Sequence, residues 1–372
     1  MNVINEDINH MRTALALAKR GLGIVAPNPA VGCVIVKGDG QVAGRGWTQI
    51  GGRPHAENEA IRRAGAQCNG ATAYVTLEPC SHEGKTPPCS MSLVNAGIKR
   101  VVVACEDPDP RVSGNGIKIL KKAGIEVVQG ILEKEAKSLN MGFFTRLSKG
   151  RPLFTLKSAT SLDGKIATQS GQSKWITGSE ARAIGHMLRA RNDAIVIGVG
   201  TALADKPELT CRINGMEGYS PSRVIIDSSL KLPLPNPLVK TAKKTPTIVL
   251  TTTMADKKKI FLLKKQGVKV IGLAPLPSGQ LAPELIAKTL GTRGLNNVLI
   301  EGGSKIAGSF IAAGLVDRLA WFHAPQIIGG DGLNSIAEYG VDKLLEAKSF
   351  KRITQHECGK DIYEVYERRN RE

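Results

Sequence analysis

Aromatic side chains are scarce, with Phe, Tyr and Trp making up 4% of the 372 residues. Few rings are therefore available as stacking platforms for exposed bases. No run of about 18 apolar residues occurs, so a membrane span is not expected. The opening stretch "MNVINEDINHMRTALALAKRG" carries acids early and apolar residues at helical spacing, without an uninterrupted apolar core or a cleavage motif. Neither a signal peptide nor an anchor is expected there. The G-x-G-x-x-G fingerprint is missing, because Gly198 and Gly200 lack the third glycine, and a Rossmann domain is not supported. Internal repeats of fixed period and low-complexity tracts are also lacking. The seven cysteines are an odd number without a secretory signal, which predicts a reducing cytoplasm and thiols that pack or bind metal, and no disulfides.

What is abundant is glycine, 41 residues, in a chain that is 42% apolar. That composition suits α/β packing in which strands, helices and ligand phosphates approach closely. The length predicts about two domains. Lys and Arg outnumber Asp and Glu by 51 to 33, a formal charge of +18, so anionic partners are favoured: nucleic acid, phosphorylated metabolites or dinucleotides. Part of the excess lies in "DKKKIFLLKKQGVKV" (256–270), which reads as a solvated helix face followed by a strand.

Alternating patterns predict a helix over 5–20, strands at 30–36 and 41–47, and a helix over 56–67. A strand at 71–77, a helix from Pro88 to about Ala96 and a strand at 100–107 follow. A unit ending in "GIEVVQG" (124–130) and a helix over 131–147 complete the first domain, 1–147. "LSKGRP" (147–152) reads as a linker. The second domain, 152–372, restarts with a strand at 153–160, a helix at 179–190 and strands at 193–201, 223–229, 247–252 and 268–273. It continues with a helix at 283–290, a strand at 297–303, a helix from about Lys305 and a strand at 318–324.

Three residue types point to chemistry in the first domain. "PHAENEAI" (54–61) sets His55 and Glu57 two apart at a helix start, and "LEPCSHEGKTPPCS" (77–90) supplies Cys80 after a strand and Cys89 at the next helix. One imidazole and two thiolates are the protein ligands of an open zinc site, with a fourth position left for water. Two residues on a helix are about 200° apart, so Glu57 would not ligate the ion but could lie beside that water and carry protons. The set resembles the H-x-E…P-C-x-x-C signature of zinc nucleobase deaminases, except that eight residues rather than two separate the cysteines. Cys33 and Cys105 lie in apolar strand patterns and read as buried thiols; Cys68, Cys211 and Cys358 carry no assignable chemistry.

The longer cysteine loop, together with "APNPAVGCVIV" (26–36) and "GGRPHAE" (51–57), closely resembles the bifunctional riboflavin biosynthesis proteins, in which a pyrimidine deaminase is fused to a reductase. The resemblance implies a cytidine-deaminase-like three-layer α/β/α domain acting on a ribosylaminopyrimidinone 5′-phosphate. It also implies that His55, Cys80 and Cys89 bind Zn2+, that Glu57 shuttles protons, and that Asn28 and Lys85 hold substrate. His82 and Glu83, in the same loop, are expected to meet solvent or substrate.

"LKSATSLDGKIATQSGQSKWITG" (156–178), "IGVGTALADKPELTCR" (197–212) and "LIEGGSKIAGSFI" (299–311) are rich in strand-end glycine and hydroxyl residues. The last, a strand, glycine turn and helix, would present backbone N–H groups to a phosphate. All three resemble the reductase half of the same family, which has a dihydrofolate-reductase-like fold and uses NADPH. The resemblance implies cofactor contacts from Ala159, Trp175, Thr201, Asp205, Ser228 and the loop Gly303, Ser304, Lys305, Ile306, Ala307, Gly308 and Ser309. It implies substrate contacts from Ser173, Arg189, Leu209, Arg212 and Glu301. Arg189 and Arg212 have the fork geometry that suits a phosphate, and Trp175 suits a ring in a cleft. Lys157 stands in an otherwise apolar strand, where an uncompensated ammonium is costly, and is expected to face the cleft near the sugar C1′.

The expected activity is zinc-dependent deamination followed by NADPH-dependent reduction of the ribosyl group, by a cytoplasmic homo-oligomer without nucleic-acid or membrane partners. Two other classes compete. A deaminase of bases in RNA with a basic appended domain fits the charge but fits the cysteine spacing poorly. A non-catalytic zinc module predicts loss of Glu57 or of the open ligand position.

Overall fold

The helical period near the start becomes α1 (Val3–Ala18), which buries Met11, Ala14, Leu15 and Ala18. The structure is a computed structural model that describes residues 3–83, 87–110 and 112–369. It divides into two units, Met1–Gly150 and Arg151–Glu372.

In the first unit α1 leads to β1 (Gly32–Val36) and β2 (Val42–Trp47), then α2 (Ala56–Ala64), β3 (Thr72–Val75) and α3 (Cys89–Asn95). β4 (Arg100–Val103), α4 (Asn115–Lys122), β5 (Glu126–Gln129), α5 (Glu133–Leu139) and α6 (Met141–Lys149) complete it. The sheet order is β2-β1-β3-β4-β5; β1 is antiparallel to both neighbours, whereas β3, β4 and β5 are parallel. The apolar strands β1, β3 and β4 form its core with α1 and α2. A methyl group on Gly46 would lie 2.1 Å from the Ala56 carbonyl oxygen, and one on Gly44 2.3 Å from that of Ala60. These glycines let α2 press its backbone onto β2, which fixes where His55 and Glu57 emerge. Across the sheet, the Arg100 guanidinium donates to both Asp7 oxygens at 2.8 Å and Tyr74 donates its hydroxyl to Asp7 at 2.9 Å, tying α1 to β3 and β4.

The helix predicted over 131–147 is two helices. It breaks at Asn140, which is buried because its side chain donates to the Ala30 carbonyl and accepts from the Ala30 N–H, both at 2.9 Å. Meeting those two backbone groups inside the fold outweighs continuing a straight helix.

The second unit contains β6 (Leu153–Thr160), β7 (Lys165–Ala167), α7 (Ser179–Ala190), β8 (Ala194–Gly198), α8 (Val199–Ala204), β9 (Ser222–Ile226) and α9 (Pro237–Lys240). β10 (Thr247–Thr252), α10 (Lys257–Lys265), β11 (Lys269–Leu273), α11 (Pro283–Thr292), β12 (Asn297–Ile300), α12 (Ser304–Ala312) and β13 (Val316–His323) follow. The chain then forms β14 (Leu333–Asn334), β15 (Phe350–Cys358) and β16 (Asp361–Arg368). Nine strands form one sheet in the order β11-β10-β9-β8-β12-β6-β13-β16-β15, parallel from β11 to β13 and antiparallel beyond, and β14 pairs with β7. The central strands are buried on both faces, as a parallel sheet covered by helices requires. α11 and α12 pack on one face, and α8, α9 and α10 on the other.

Two further features depart from the sequence reading. The strand expected over 193–201 stops at Gly198, and its end curls into α8. The hairpin β15–β16 has no counterpart in the sequence reading, since β15 runs along the sheet edge with nearly every residue exposed and lacks an apolar period. All seven cysteines are unpaired, and every one except Cys80 is buried.

Candidate active sites

In the first unit, the local structure that brings three potential ligands together is the meeting of a helix start with two loop ends. His55 is the residue before α2, Cys80 follows β3, and Cys89 opens α3. His55 Nδ1 lies 3.2 Å from Cys89 Sγ and 3.7 Å from Cys80 Sγ, and the three ligand atoms are within 4.8 Å of one another. The Cys89 backbone N–H donates to Cys80 Sγ at 3.3 Å. Hydrogen bonding from Cys89 holds the Cys80 thiol down at about 4 against the effect of burial, with His55 adding to the lowering. Cys89 is correspondingly pushed up by Cys80 and by burial. An imidazole and two clustered thiols, one already stabilised as thiolate, fit the donor set of zinc.

Glu57, in the first turn of α2, is 4% exposed and opens onto the same cleft. Burial raises its carboxyl to about 7, opposed by the nearby His55. The cleft holds about 250 Å³ and is bordered by Asn28, Arg53, His82, Asp107, Asp109 and Arg146. Asn28 donates to the Gly52 carbonyl at 2.8 Å. Of the loop residues, Glu83 is exposed, whereas His82 is half-buried at the cleft with its Nδ1 buried and unpaired. Lys85 lies outside the described residues. Sequence reasoning missed Asp107 and Asp109; their signal is "EDPDP" (106–110) directly after a parallel strand, where cleft residues of such sheets collect.

In the second unit, the C-terminal ends of β6, β8, β9 and β12 lie along one edge, because these strands are parallel. A cleft of about 270 Å³ there is lined by Lys157, Ala159, Ser173, Trp175, Arg189, Arg212 and Glu301. The Arg189 guanidinium donates to both Glu301 oxygens at 2.9 and 2.7 Å and to the Thr210 carbonyl at 3.1 Å. Its fork is therefore filled from within rather than left free to clamp a phosphate. Arg212 is the more open cation, half-exposed and 3.7 Å from Glu208. Lys157 Nζ stands 5.6 Å from the centre of the Phe322 ring. Burial lowers its pKa, and Glu301 works against that lowering. Glu301 itself is raised by burial but falls on balance, because Arg189 and then Lys157 face it.

Trp175 is 70% exposed with φ of 70°, under the Arg182 guanidinium at 4.3 Å. A large side chain held in the left-handed region at a cleft mouth is the kind of strain that accompanies ligand contact. Leu209, at φ of 57°, is buried in the core with Ile195 and Ile197 and does not line the cleft. His186, also missed, lines the cleft, and its ring Nδ1 accepts from the Arg212 N–H at 3.3 Å or meets the Thr210 carbonyl at 3.2 Å.

Thr201 packs on the turn Gly302–Gly303; a methyl group on either glycine would lie 3.3 Å from its side chain. Asp205 ends α8 and is exposed, and Ser228 follows β9 and donates to Gln280 at 3.4 Å. The stretch Gly303–Ser309 is the start of a helix rather than a loop, so its parts face different ways. Gly303, Ser304, Lys305 and Ile306 stand at the open end with uncapped N–H groups. Ala307 and Gly308 turn inward, and Ser309 is exposed. These residues border the same sheet edge but not the cleft around Lys157.

Comparison with known proteins finds relatives along both units. Residues 4–105 match the cytidine and deoxycytidylate deaminase zinc-binding region, and residues 152–358 match the RibD C-terminal domain. The chain is 42% identical to the riboflavin biosynthesis protein RibD of Aquifex aeolicus, over 97% of this chain and 98% of that protein. It is 39% identical to RibD of Escherichia coli, over 96% and 98%. Among solved structures, Acinetobacter baumannii RibD superposes with a TM-score of 0.87 at 39% identity, covering 99% of this chain and all of that one. A Thermotoga maritima diaminohydroxyphosphoribosylaminopyrimidine deaminase/5-amino-6-(5-phosphoribosylamino)uracil reductase gives 0.86 at 35% identity, over 99% and 100%.

Proposed function

The chain belongs to the RibD family of riboflavin biosynthesis proteins, and on that premise we propose how its residues divide two reactions. It is a bifunctional enzyme with a cytidine-deaminase-like first domain and a dihydrofolate-reductase-like second domain. The substrate is 2,5-diamino-6-(ribosylamino)pyrimidin-4-one 5′-phosphate, which is deaminated and then reduced to 5-amino-6-(ribitylamino)uracil 5′-phosphate.

The observation that carries the first half is the convergence of His55, Cys80 and Cys89 on one point of a cleft that Glu57 also enters. Those three side chains would hold zinc, which when bound supplies Lewis acidity that lowers the pKa of water toward ~7. Replacing an exocyclic amine by oxygen requires that water lose a proton and the departing amine gain one. A buried carboxyl held near 7 can take the first and return the second near neutral pH. Asn28 and Lys85 are assigned to substrate.

In the second half, NADPH supplies the reducing equivalent when bound, with its phosphates at the N-terminal turn of α12. Ala159, Trp175, Thr201, Asp205, Ser228 and the Gly303–Ser309 segment are assigned to it. Ser173, Leu209, Arg212 and the Arg189–Glu301 pair are assigned to the ribotide, with Arg212 as the cation open to its phosphate. Lys157 faces C1′ and stabilises the charge that develops on the sugar oxygen as the ring opens. The reading further assigns the protein to the cytoplasm as a homo-oligomer; among the described residues no helix is long and apolar enough to cross a membrane.

Metal analysis together with ammonia release, on the wild type and Glu57→Gln, tests the assignment. About one zinc per chain in both, with ammonia from the wild type and a rate at least ~10²-fold lower from the variant, is expected. Equal ammonia release by the two proteins would remove Glu57 from the chemistry.

A further inference from the structure

Glu78 has no part in the reactions as assigned above. Its carboxylate is 3% exposed and turns both oxygens to backbone donors of the segment that follows β4. Oε2 accepts from the Asp107 N–H at 3.3 Å and the Gly114 N–H at 3.0 Å, and Oε1 from the Ile117 N–H at 3.2 Å. Gly114 is the residue before α4, and no side chain from that helix's own start caps it. Glu78 therefore supplies the acceptor, and the negative charge, that a helix N-terminus favours. Its own N–H donates to the Cys105 carbonyl at 2.9 Å. One residue on, the contact tightens: a methyl group on Gly116 would lie 2.0 Å from the Pro79 carbonyl oxygen. The first turn of α4 thus rests directly on the turn that delivers Cys80.

These contacts join two loops with different duties. One carries the ligand Cys80; the other carries Asp107, Asp109 and Val112, which wall the deaminase cleft. Asp109 in turn donates its N–H to Asp107 Oδ1 at 2.9 Å and accepts at its carbonyl from Val112 at 2.8 Å and Ser113 at 2.9 Å, so these wall residues are tied to one another. We propose that Glu78 is a positioning residue of the deaminase: it sets the distance between the Cys80 turn and the wall formed by Asp107, Asp109 and Val112, and so where the pyrimidine sits relative to the metal ligands. Three backbone donors gathered on one carboxylate suit a clamp between loops that run on beyond the β3–β4 pairing. The inference rests on the deaminase reading of the first domain.

The test compares wild type with Glu78→Gln, both zinc-loaded, in the full chain. Glutamine keeps the shape but turns an NH2 group toward backbone N–H donors. The expected variant retains about one zinc per chain and unchanged NADPH-dependent reduction, with faster amide deuterium uptake around Asp107, Gly114 and Ile117. Its KM for ammonia release rises about tenfold or more, and kcat falls by less. A helix cap with no further role would lower stability and leave that KM unchanged, and this outcome overturns the proposal. So does loss of zinc in step with activity, which would place Glu78 in the metal shell. Gly116→Ala keeps the carboxylate but pushes α4 off Pro79, and serves if Glu78→Gln does not fold; the same rise in KM is expected, and its absence refutes the clamp. Failure of the wild type to release ammonia would instead refute the deaminase reading itself.

Discussion

Replacing Glu301 by Gln tests the electrostatics of the reductase cleft. The carboxylate lies 2.7 and 2.9 Å from the Arg189 fork, with side-chain exposures of 8% and 16%, and it is the anion that supports the half-buried Lys157. Breaking a buried pair by removing one partner costs roughly 3–5 kcal/mol, because the surviving charge stays uncompensated. Here two cations lose their counter-charge. The Thr210 carbonyl still accepts from Arg189, and the Gln amide oxygen retains one bond, which places the expected loss near the lower end, about 3 kcal/mol. For a unit the size of Arg151–Glu372, each kcal/mol moves Tm by about 2–4 °C, so a fall of roughly 6–12 °C in the transition of this unit is expected. Without Glu301, desolvation of Lys157 is less opposed and its pKa falls further. Lys157 then loses its proton at lower pH, and the alkaline limb of the reductase kcat profile moves down in pH. Calorimetry with both activities measured on one sample would read this out, with ammonia release as the internal control. A Tm change under about 2 °C together with an unshifted alkaline limb would refute the argument that Glu301 holds this cluster together.

Lys157→Met keeps the length of an apolar side chain in β6 and removes the ammonium, so reductase kcat is expected to fall at least tenfold while ammonia release persists; an unchanged kcat would exclude the role at C1′. Asp7 tests stability in the first domain. Burial raises its pKa, but the hydrogen bonds from Arg100 and Tyr74 outweigh that and leave it below the ordinary value of 3.8. A carboxyl with a depressed folded pKa stabilises above its unfolded value and ceases to do so as pH falls through the folded one. Asp7→Asn should therefore cost about 1.5–3 kcal/mol near neutrality, and the difference from wild type should vanish on acidification below pH 3.8; a denaturant-unfolding gap independent of pH would contradict it.

Much was decided by the sequence alone. Apolar period and glycine punctuation located most of the strands and helices, because local propensity and the buried face of each element agree. The His-x-Glu pair and the two loop cysteines brought forward a candidate metal site, and folding gathers His55, Cys80 and Cys89 within ligand reach of one another. The tertiary structure decided what depends on contacts between distant segments. Asn140 breaks a helix in order to meet Ala30, and the polar β15 becomes a strand because β16 offers it backbone partners. The reductase cleft shows the same division. Sequence brought Arg189 and Arg212 forward as cations suited to a phosphate, but folding places Glu301 against one and leaves the other open to the cleft. Asp107, Asp109 and Glu78 gain their positions only where the loop after β3 meets the loop after β4. Composition and spacing report which groups a chain can present, whereas burial and the partner of each charge are properties of the packed whole, where a few ångströms decide whether a side chain is a clamp, a counter-ion or a ligand.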